Sequence, residues 1–413
     1  MPAKVETRSP RIETLRKELE MGHGAALDAF WQEMTAHGTP LVEPIPGDEH
    51  HRLVTFIWRG SHDLRNVVVL DGIAGDNFAS NQLTQLPGTD LFFKSYRARK
   101  DTHTVYSFST NDPLLSEEDE GWAEHYSSVF CMDPLNPHTL FGEESVLRLP
   151  DALRELWIEA RPGVPAGQVV QYLFHSDLLN NERDIWIYTP PGYNPLKGAY
   201  AWMLLFDGRA HLNLPAPTIL DNLIAENRIP ALVVVFVANA EGARTRELTC
   251  SPAFAECICQ ELLPWVRERY PISPDPQQAI IGGFSYGALA AAFTALRCPQ
   301  VFGKVLAQSG SYWWGPGYDD RKILPEDGEQ DWLIHQFVKA DRRRLRFYLS
   351  AGLLETGCPP GGILTSTLAA NRHFRDVLEA KGYLVGYQEY SGGHDLIGWR
   401  GVFPEAVVTL SSA

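Results

Sequence analysis

Apolar runs that carry no polar face most constrain this chain. They fall at residues 201–206, 232–237, 279–283, 304–307, 345–350 and 384–390, and helix-period segments at 218–227, 252–269, 286–296 and 363–381 lie between them. Strands of this kind cannot leave one face in water. They require helices on both sides, which implies a mostly parallel sheet. Runs at 169–174 and 184–189, with Asn180 and Asn181 between them, read as a hairpin leading into that sheet.

The texture changes before residue 150. Short runs at 52–58 (RLVTFIW), 66–70 (NVVVL), 90–96 and 104–108 (TVYSF) are separated by turn-rich pieces such as GSHD and QLPGTD. This spacing predicts a small antiparallel sandwich. A helix is expected over 25–36, where Leu27, Phe30, Trp31 and Met34 share one face. Residues 147–167 end in a Pro/Gly-rich connector. The expectation is a β-rich, immunoglobulin-like N-terminal domain at 1–150 and an α/β catalytic domain at 151–413.

Composition narrows the partners. A hydrophobic content of 44% supplies two cores, and a net charge of −15 argues against a general nucleic-acid surface. An anionic small ligand would need a local basic pocket set against that field. The six cysteines form no CxxC pair, and the charged opening segment lacks the apolar core of an export signal. No apolar run approaches the ~20 residues of a membrane helix. A cytoplasmic protein with reduced thiols and no membrane segment is expected.

The sharpest motif is Gly283-Phe284-Ser285-Tyr286-Gly287. GxSxG alone is weak, but here it joins an apolar strand to the Ala-rich helix at 286–296. That context predicts a strained turn which lifts the Ser285 hydroxyl out of the sheet. The helix N-terminus then offers the Tyr286 N–H to a developing oxyanion. A general base should follow a late strand, and His394 does, in SGGHD after the run at 384–390. His335 and His373, the other histidines after Ser285, lie in helical segments. Glu355 is the carboxylate after the strand at 345–350 and is the expected acid; a Ser–His pair without it is the alternative. The DG turn after residues 201–206 offers a second oxyanion donor near Arg209.

These residues resemble the enterochelin (enterobactin) esterase family. The matching pieces are LLFDG, Thr245-Arg246-Glu247-Leu248, GGFSYGALAA, the segment from Gln308 to Trp314, and SGGHDLIGWR. In the N-terminal part they are VTFIWRG, Pro87-Gly88-Thr89-Asp90 and Asp133-Pro134-Leu135-Asn136-Pro137. The resemblance implies an α/β-hydrolase domain behind a family-specific N-terminal module. It also implies a cytoplasmic serine esterase that opens the trilactone of ferric catecholate siderophores, with the family's serine and histidine on Ser285 and His394.

Such substrates are anionic and aromatic, so guanidinium groups and flat rings are expected at the site. The candidates are Arg246, Trp313, Trp314, Trp399 and Arg400, besides Arg209. No protein-bound metal cofactor is expected, because no His/Cys/Asp cluster has ligand spacing and iron would enter with the substrate. Two alternatives stand beside this reading: a feruloyl or carbohydrate-ester esterase of the same fold, and a binding protein that acts through its N-terminal module.

Overall fold

The computed structural model describes residues 9–75, 77–115, 119, 121, 125, 130–318, 328–358 and 363–412. The chain forms two compact units. One is Met1–Leu153 together with Ser391–Gly398, and the other is Arg154–Tyr390 together with Trp399–Ala413.

The first unit opens with two helices. Pro10–Glu20 starts at Ser9, whose hydroxyl accepts from the Ile12 amide, with proline at the first helical position. Ala26–His37 buries Phe30, Trp31 and Met34, as its periodicity predicts. Among the described residues eight strands follow: β1 (Leu41–Ile45), β2 (Asp48–Arg59), β3 (Val67–Leu70), β4 (Thr84–Gln85), β5 (Leu91–Arg99), β6 (His103–Thr110), β7 (Thr139–Leu140) and β8 (Glu144–Arg148). They form two antiparallel sheets, β1-β2-β5-β4 and β3-β6-β8-β7.

Both sheets feed one core, so they face each other as a sandwich. Val54 and Phe56 of β2 meet Val67, Val69, Tyr106 and Phe108 from the other sheet, with the Phe56 and Tyr106 ring centres 4.7 Å apart. The two-residue period of a strand then sends Ile57 to the opposite face, where it packs on the two helices. With both faces covered, the RLVTFIW run needs no polar side.

The second unit holds β9 (Gln168–Ser176), β10 (Asn181–Thr189), β11 (Ala201–Leu205), β12 (Leu232–Val237), β13 (Ala279–Phe284), β14 (Lys304–Gln308), β15 (Arg346–Gly352) and β16 (Leu384–Tyr390). Their order is β16-β15-β14-β13-β11-β12-β10-β9. Pairing is parallel from β12 through β16, and the β9–β10 hairpin is antiparallel. This is the mostly parallel, helix-flanked sheet that the apolar runs anticipate. Alternate residues serve two cores. Leu204, Val233, Val235, Ile281 and Val305 pack under helices Pro252–Glu256, Tyr286–Arg297 and Thr367–Ala380. Met203, Leu205, Val234, Ile280 and Leu306 pack under Ala216–Ala225 and Leu396–Ser411.

The helical segment expected at 252–269 is present, but it passes through a π-helical stretch at Cys257–Leu262. Pro264 lies two residues beyond it, has no N–H and crowds the carbonyl four residues back, which is Gln260 within that stretch. Widening the preceding turn relieves that conflict. Among the described residues, no helix is long and apolar enough to cross a membrane.

Candidate active site

The GxSxG segment sits where β13 ends and helix Tyr286–Arg297 begins. Ser285 has φ 55° and ψ −124°, a conformation that L-residues rarely adopt and hold only when their surroundings enforce it. The surroundings here are specific. The Ser285 amide donates to the Gln308 carbonyl (3.0 Å), and the Ser285 carbonyl accepts from the Ser311 amide (3.2 Å). A Cβ on Gly283 would lie 2.8 Å from the Gly287 carbonyl carbon, and one on Gly287 would lie 3.0 Å from Asp207 Oδ2. The two glycines of the motif are therefore steric requirements of the turn. The Ser285 hydroxyl is half-buried and lies 3.3 Å from that of Ser311. The helix begins at Tyr286, the end at which its dipole favours negative charge.

The turn after β11 is equally constrained. Asp207 adopts φ 53° and is buried, and its carboxylate takes a bidentate contact from Arg244 (2.8 and 2.9 Å) and one from Asn239 Nδ2 (2.6 Å). Arg244 also lies over the Tyr286 ring, at 5.6 Å from its centre, with its side chain 38% exposed. It thus ties the DG turn to the elbow while presenting part of its guanidinium to solvent. Sequence reasoning missed this residue and selected Arg246, two positions on, which is exposed on the short helix Arg244–Leu248. The available signal was Asp207 itself: a carboxylate directly after an apolar strand needs a partner if it is buried, and a guanidinium is a strong one. Arg209, singled out for its amide, turns its side chain to Asp184 (3.3 Å) and to the face of Trp186 (5.2 Å).

Glu355 follows β15 and is buried. Its Oε1 accepts from the Ser309 hydroxyl (2.6 Å), the Gly352 amide (2.6 Å) and, more distantly, the Tyr390 hydroxyl (3.4 Å). Three donors on one oxygen fix the rotamer. Ser309 in turn accepts from Trp399 Nε1 (2.8 Å).

The aromatic and basic candidates divide. Trp313 is beside Tyr286, with ring centres 6.0 Å apart, and its Nε1 donates to Thr367. Trp314 is buried against Trp332. Trp399 stacks on Phe284 at 4.2 Å with planes 10° apart, so its ring is core packing beneath the elbow. Arg400 makes a bidentate pair with Glu155 (2.5 and 2.9 Å) and has only 15% of its side chain exposed. Neither of these two is presented as a stacking or anion-binding group.

His394 is exposed and belongs to the segment Ser391–Gly398 of the first unit. The other two late histidines are occupied on helices: His335 with Glu329 (2.9 Å) and His373 with Asp331 (3.2 Å).

Comparison with known proteins matches both parts of the chain. A family model described as "Putative esterase" covers residues 176–410, and one described as "Enterochelin esterase, N-terminal" covers residues 53–158. The chain is 30% identical over 424 residues to the iron(III) enterobactin esterase of Dickeya dadantii (strain 3937), spanning 91% of each. It is 27% identical over 414 residues to the iron(III) salmochelin esterase of Escherichia coli O6:H1, spanning 97% of each. The crystal structure of ferric enterobactin esterase from Salmonella typhimurium, 27% identical, superposes with a TM-score of 0.74 over 93% of this chain and 98% of that one. The likeness therefore runs through both parts of the chain, and the chain belongs to the enterochelin (enterobactin) esterase family as a carboxylic-ester hydrolase.

Proposed function

We propose that the chain is a cytoplasmic esterase that hydrolyses the trilactone of ferric catecholate siderophores. The observation that carries this reading is the span of the likeness. It runs through both domains of relatives named for iron(III) enterobactin and salmochelin, rather than through the catalytic domain alone. In the proposed reaction the Ser285 hydroxyl attacks an ester carbonyl while His394 accepts its proton, and Glu355 orients the imidazole and stabilises its charged form. The Tyr286 amide, with an amide of the turn held by Asp207, stabilises the tetrahedral oxyanion. His394 returns the proton to the leaving alkoxide, and a water molecule then hydrolyses the acyl-enzyme.

Two arginines and a pair of rings suit the substrate's charge and shape. Arg244 and Arg246 supply positive charge in a chain of net charge −15, and Tyr286 and Trp313 supply flat surfaces. Iron arrives as part of the substrate.

Replacement of Ser285 tests the reading. With iron-loaded trilactone as substrate and linear products followed by chromatography, Ser285→Ala is expected to lose at least about a thousandfold in kcat. Siderophore binding, read by quenching of tryptophan fluorescence, should persist. Retained turnover in the variant would refute the nucleophile. Cleavage of feruloyl esters with none of trilactones would refute the substrate class.

A further inference from the structure

The N-terminal sandwich of such an esterase invites a role in binding substrate, but its own contacts indicate a different one. We infer that strand β6 holds the segment carrying the catalytic base, and that Thr104, acting on Asp395, is a positioning residue for His394. The inference rests on the reading of His394 as the base.

His394 sits in an eight-residue segment, Ser391–Gly398, that packs within the first compact unit. Gly392 and Gly393 precede it, and glycines give a loop conformational freedom that something must remove before its histidine can work. Thr102 and the start of β6 at His103 and Thr104 remove it on both sides. Ahead of the histidine, the Ser391 carbonyl accepts from the His103 amide (2.9 Å), and the Ser391 and Thr102 hydroxyls are 2.8 Å apart. Behind it, the Thr104 hydroxyl donates to Asp395 Oδ2 (2.7 Å). Asp395 Oδ1 accepts from the Gly398 amide (2.7 Å) in helix N-cap geometry. Ile397 is buried with Val105 and Leu140. The fit is close: a Cβ on Gly393 would stand 3.2 Å from Thr104 Oγ1 and 3.4 Å from Asp395 Oδ2.

The burial of these polar groups supports the same reading. Thr102 and Thr104 are 1% and 0% exposed. A fully buried hydroxyl that served packing alone would be better replaced by valine, so its retention points to the bond it makes. The carboxylate next in sequence to the base is thereby held through both oxygens, by the helix on one side and the sandwich on the other.

The test compares Thr104→Val, which keeps the shape and removes the donor, with Thr104→Ser, which keeps the donor. For Thr104→Val we expect kcat to fall about ten- to a hundredfold on both the ferric trilactone and a small p-nitrophenyl ester, with KM changed less than about twofold. Thr104→Ser should recover to within about threefold of the parent. Asp395→Asn, which weakens the same bond from the other side, should repeat the kcat loss and serves if Thr104→Val fails to fold. An unchanged kcat in folded Thr104→Val would overturn the inference, as would a rise in KM confined to the siderophore, which would mean substrate contact. His394→Ala separates the two levels. If it stays active, the base assignment falls; if it is inactive while Thr104→Val matches the parent, only the positioning role falls.

Discussion

On the proposed assignment of Glu355 as the acid, replacing Ser309 with alanine should damage catalysis, and the contacts of Ser309 give the size of the effect. The Ser309 hydroxyl has one hydrogen and two lone pairs, and its neighbours use all three. The hydrogen goes to Glu355 Oε1 at 2.6 Å, and the lone pairs face Trp399 Nε1 at 2.8 Å and the Tyr390 hydroxyl at 3.0 Å. A hydrogen bond to a charged acceptor contributes about 1.5–3 kcal/mol, and a buried donor that loses its acceptor costs about 1–3 kcal/mol more. Ser309→Ala is therefore expected to destabilise the protein by about 3–5 kcal/mol. If the bond to Glu355 acts fully in the transition state, kcat falls about ten- to a hundredfold. Tyr390→Phe is the control. It removes the 3.0 Å bond to Ser309 and the long 3.4 Å contact with Glu355 but leaves the Ser309–Glu355 bond, so the loss should be about 0.5–1.5 kcal/mol and no more than a few-fold in kcat. Urea unfolding followed by tryptophan emission measures the first quantity, and initial rates on a small ester measure the second. Equal effects from the two variants, or an unchanged kcat in Ser309→Ala, would refute the claim that Ser309 is the main support of the acid.

Three further predictions concern groups away from the nucleophile. Arg183 and Glu247 form a pair whose side chains are 1% and 3% exposed, with Asn181 completing it, so Glu247→Ala should cost about 3–5 kcal/mol by urea titration because it strands a buried guanidinium. The pH dependence of stability should show two opposed contributions. Burial holds the His211 imidazole down at about 4, so the stability from its neutral form is present above about 6.5 and is lost as pH falls towards 4. His211→Leu should flatten that acid limb in urea midpoints between pH 7.5 and pH 5. Burial first, then repulsion by Asp71, Asp395 and Glu143, raises Glu144 to about 7. Its contribution is full below about 4.5 and is lost as pH rises through 7, so Glu144→Gln should raise the midpoint at pH 8 and leave it unchanged at pH 4.5.

What the sequence revealed depended on how locally each signal is encoded. The parallel strands were readable because an apolar run without a polar face admits few environments: 232–237 and 384–390 match β12 and β16 residue for residue. Helix Pro10–Glu20 went unread because six of its eleven residues are charged and only Ile12 and Leu15 are buried, although the Ser9-Pro10 start was a usable cue. The short β4 and β7 have two residues each, too few to show a period. At the site, the Ser285 turn is specified within five residues. Arg244 on Asp207, Ser309 on Glu355 and Thr104 on Asp395 join residues 37, 46 and 291 positions apart, and no local pattern announces such contacts. Nearness in sequence also misled. Trp399 and Arg400 follow SGGHD closely, but the helix Leu396–Ser411 directs them to Phe284 and Glu155.

The discontinuous first unit has a consequence for biosynthesis. A ribosome releases the chain from its N-terminus at about 5–20 residues per second, and domains generally fold as they emerge. The described strands of this sandwich are complete by residue 148, yet its last piece, Ser391–Gly398, is made more than two hundred residues later. Until those residues are made, the nascent chain carries hydroxyls on Thr102 and Thr104 whose partners do not yet exist. On the proposed assignment, Ser285 is translated more than a hundred residues before the histidine that would activate it. A growing polypeptide would then be chemically silent towards esters, and hydrolytic competence would arrive in a single late step when residues 391–398 close onto the waiting strand.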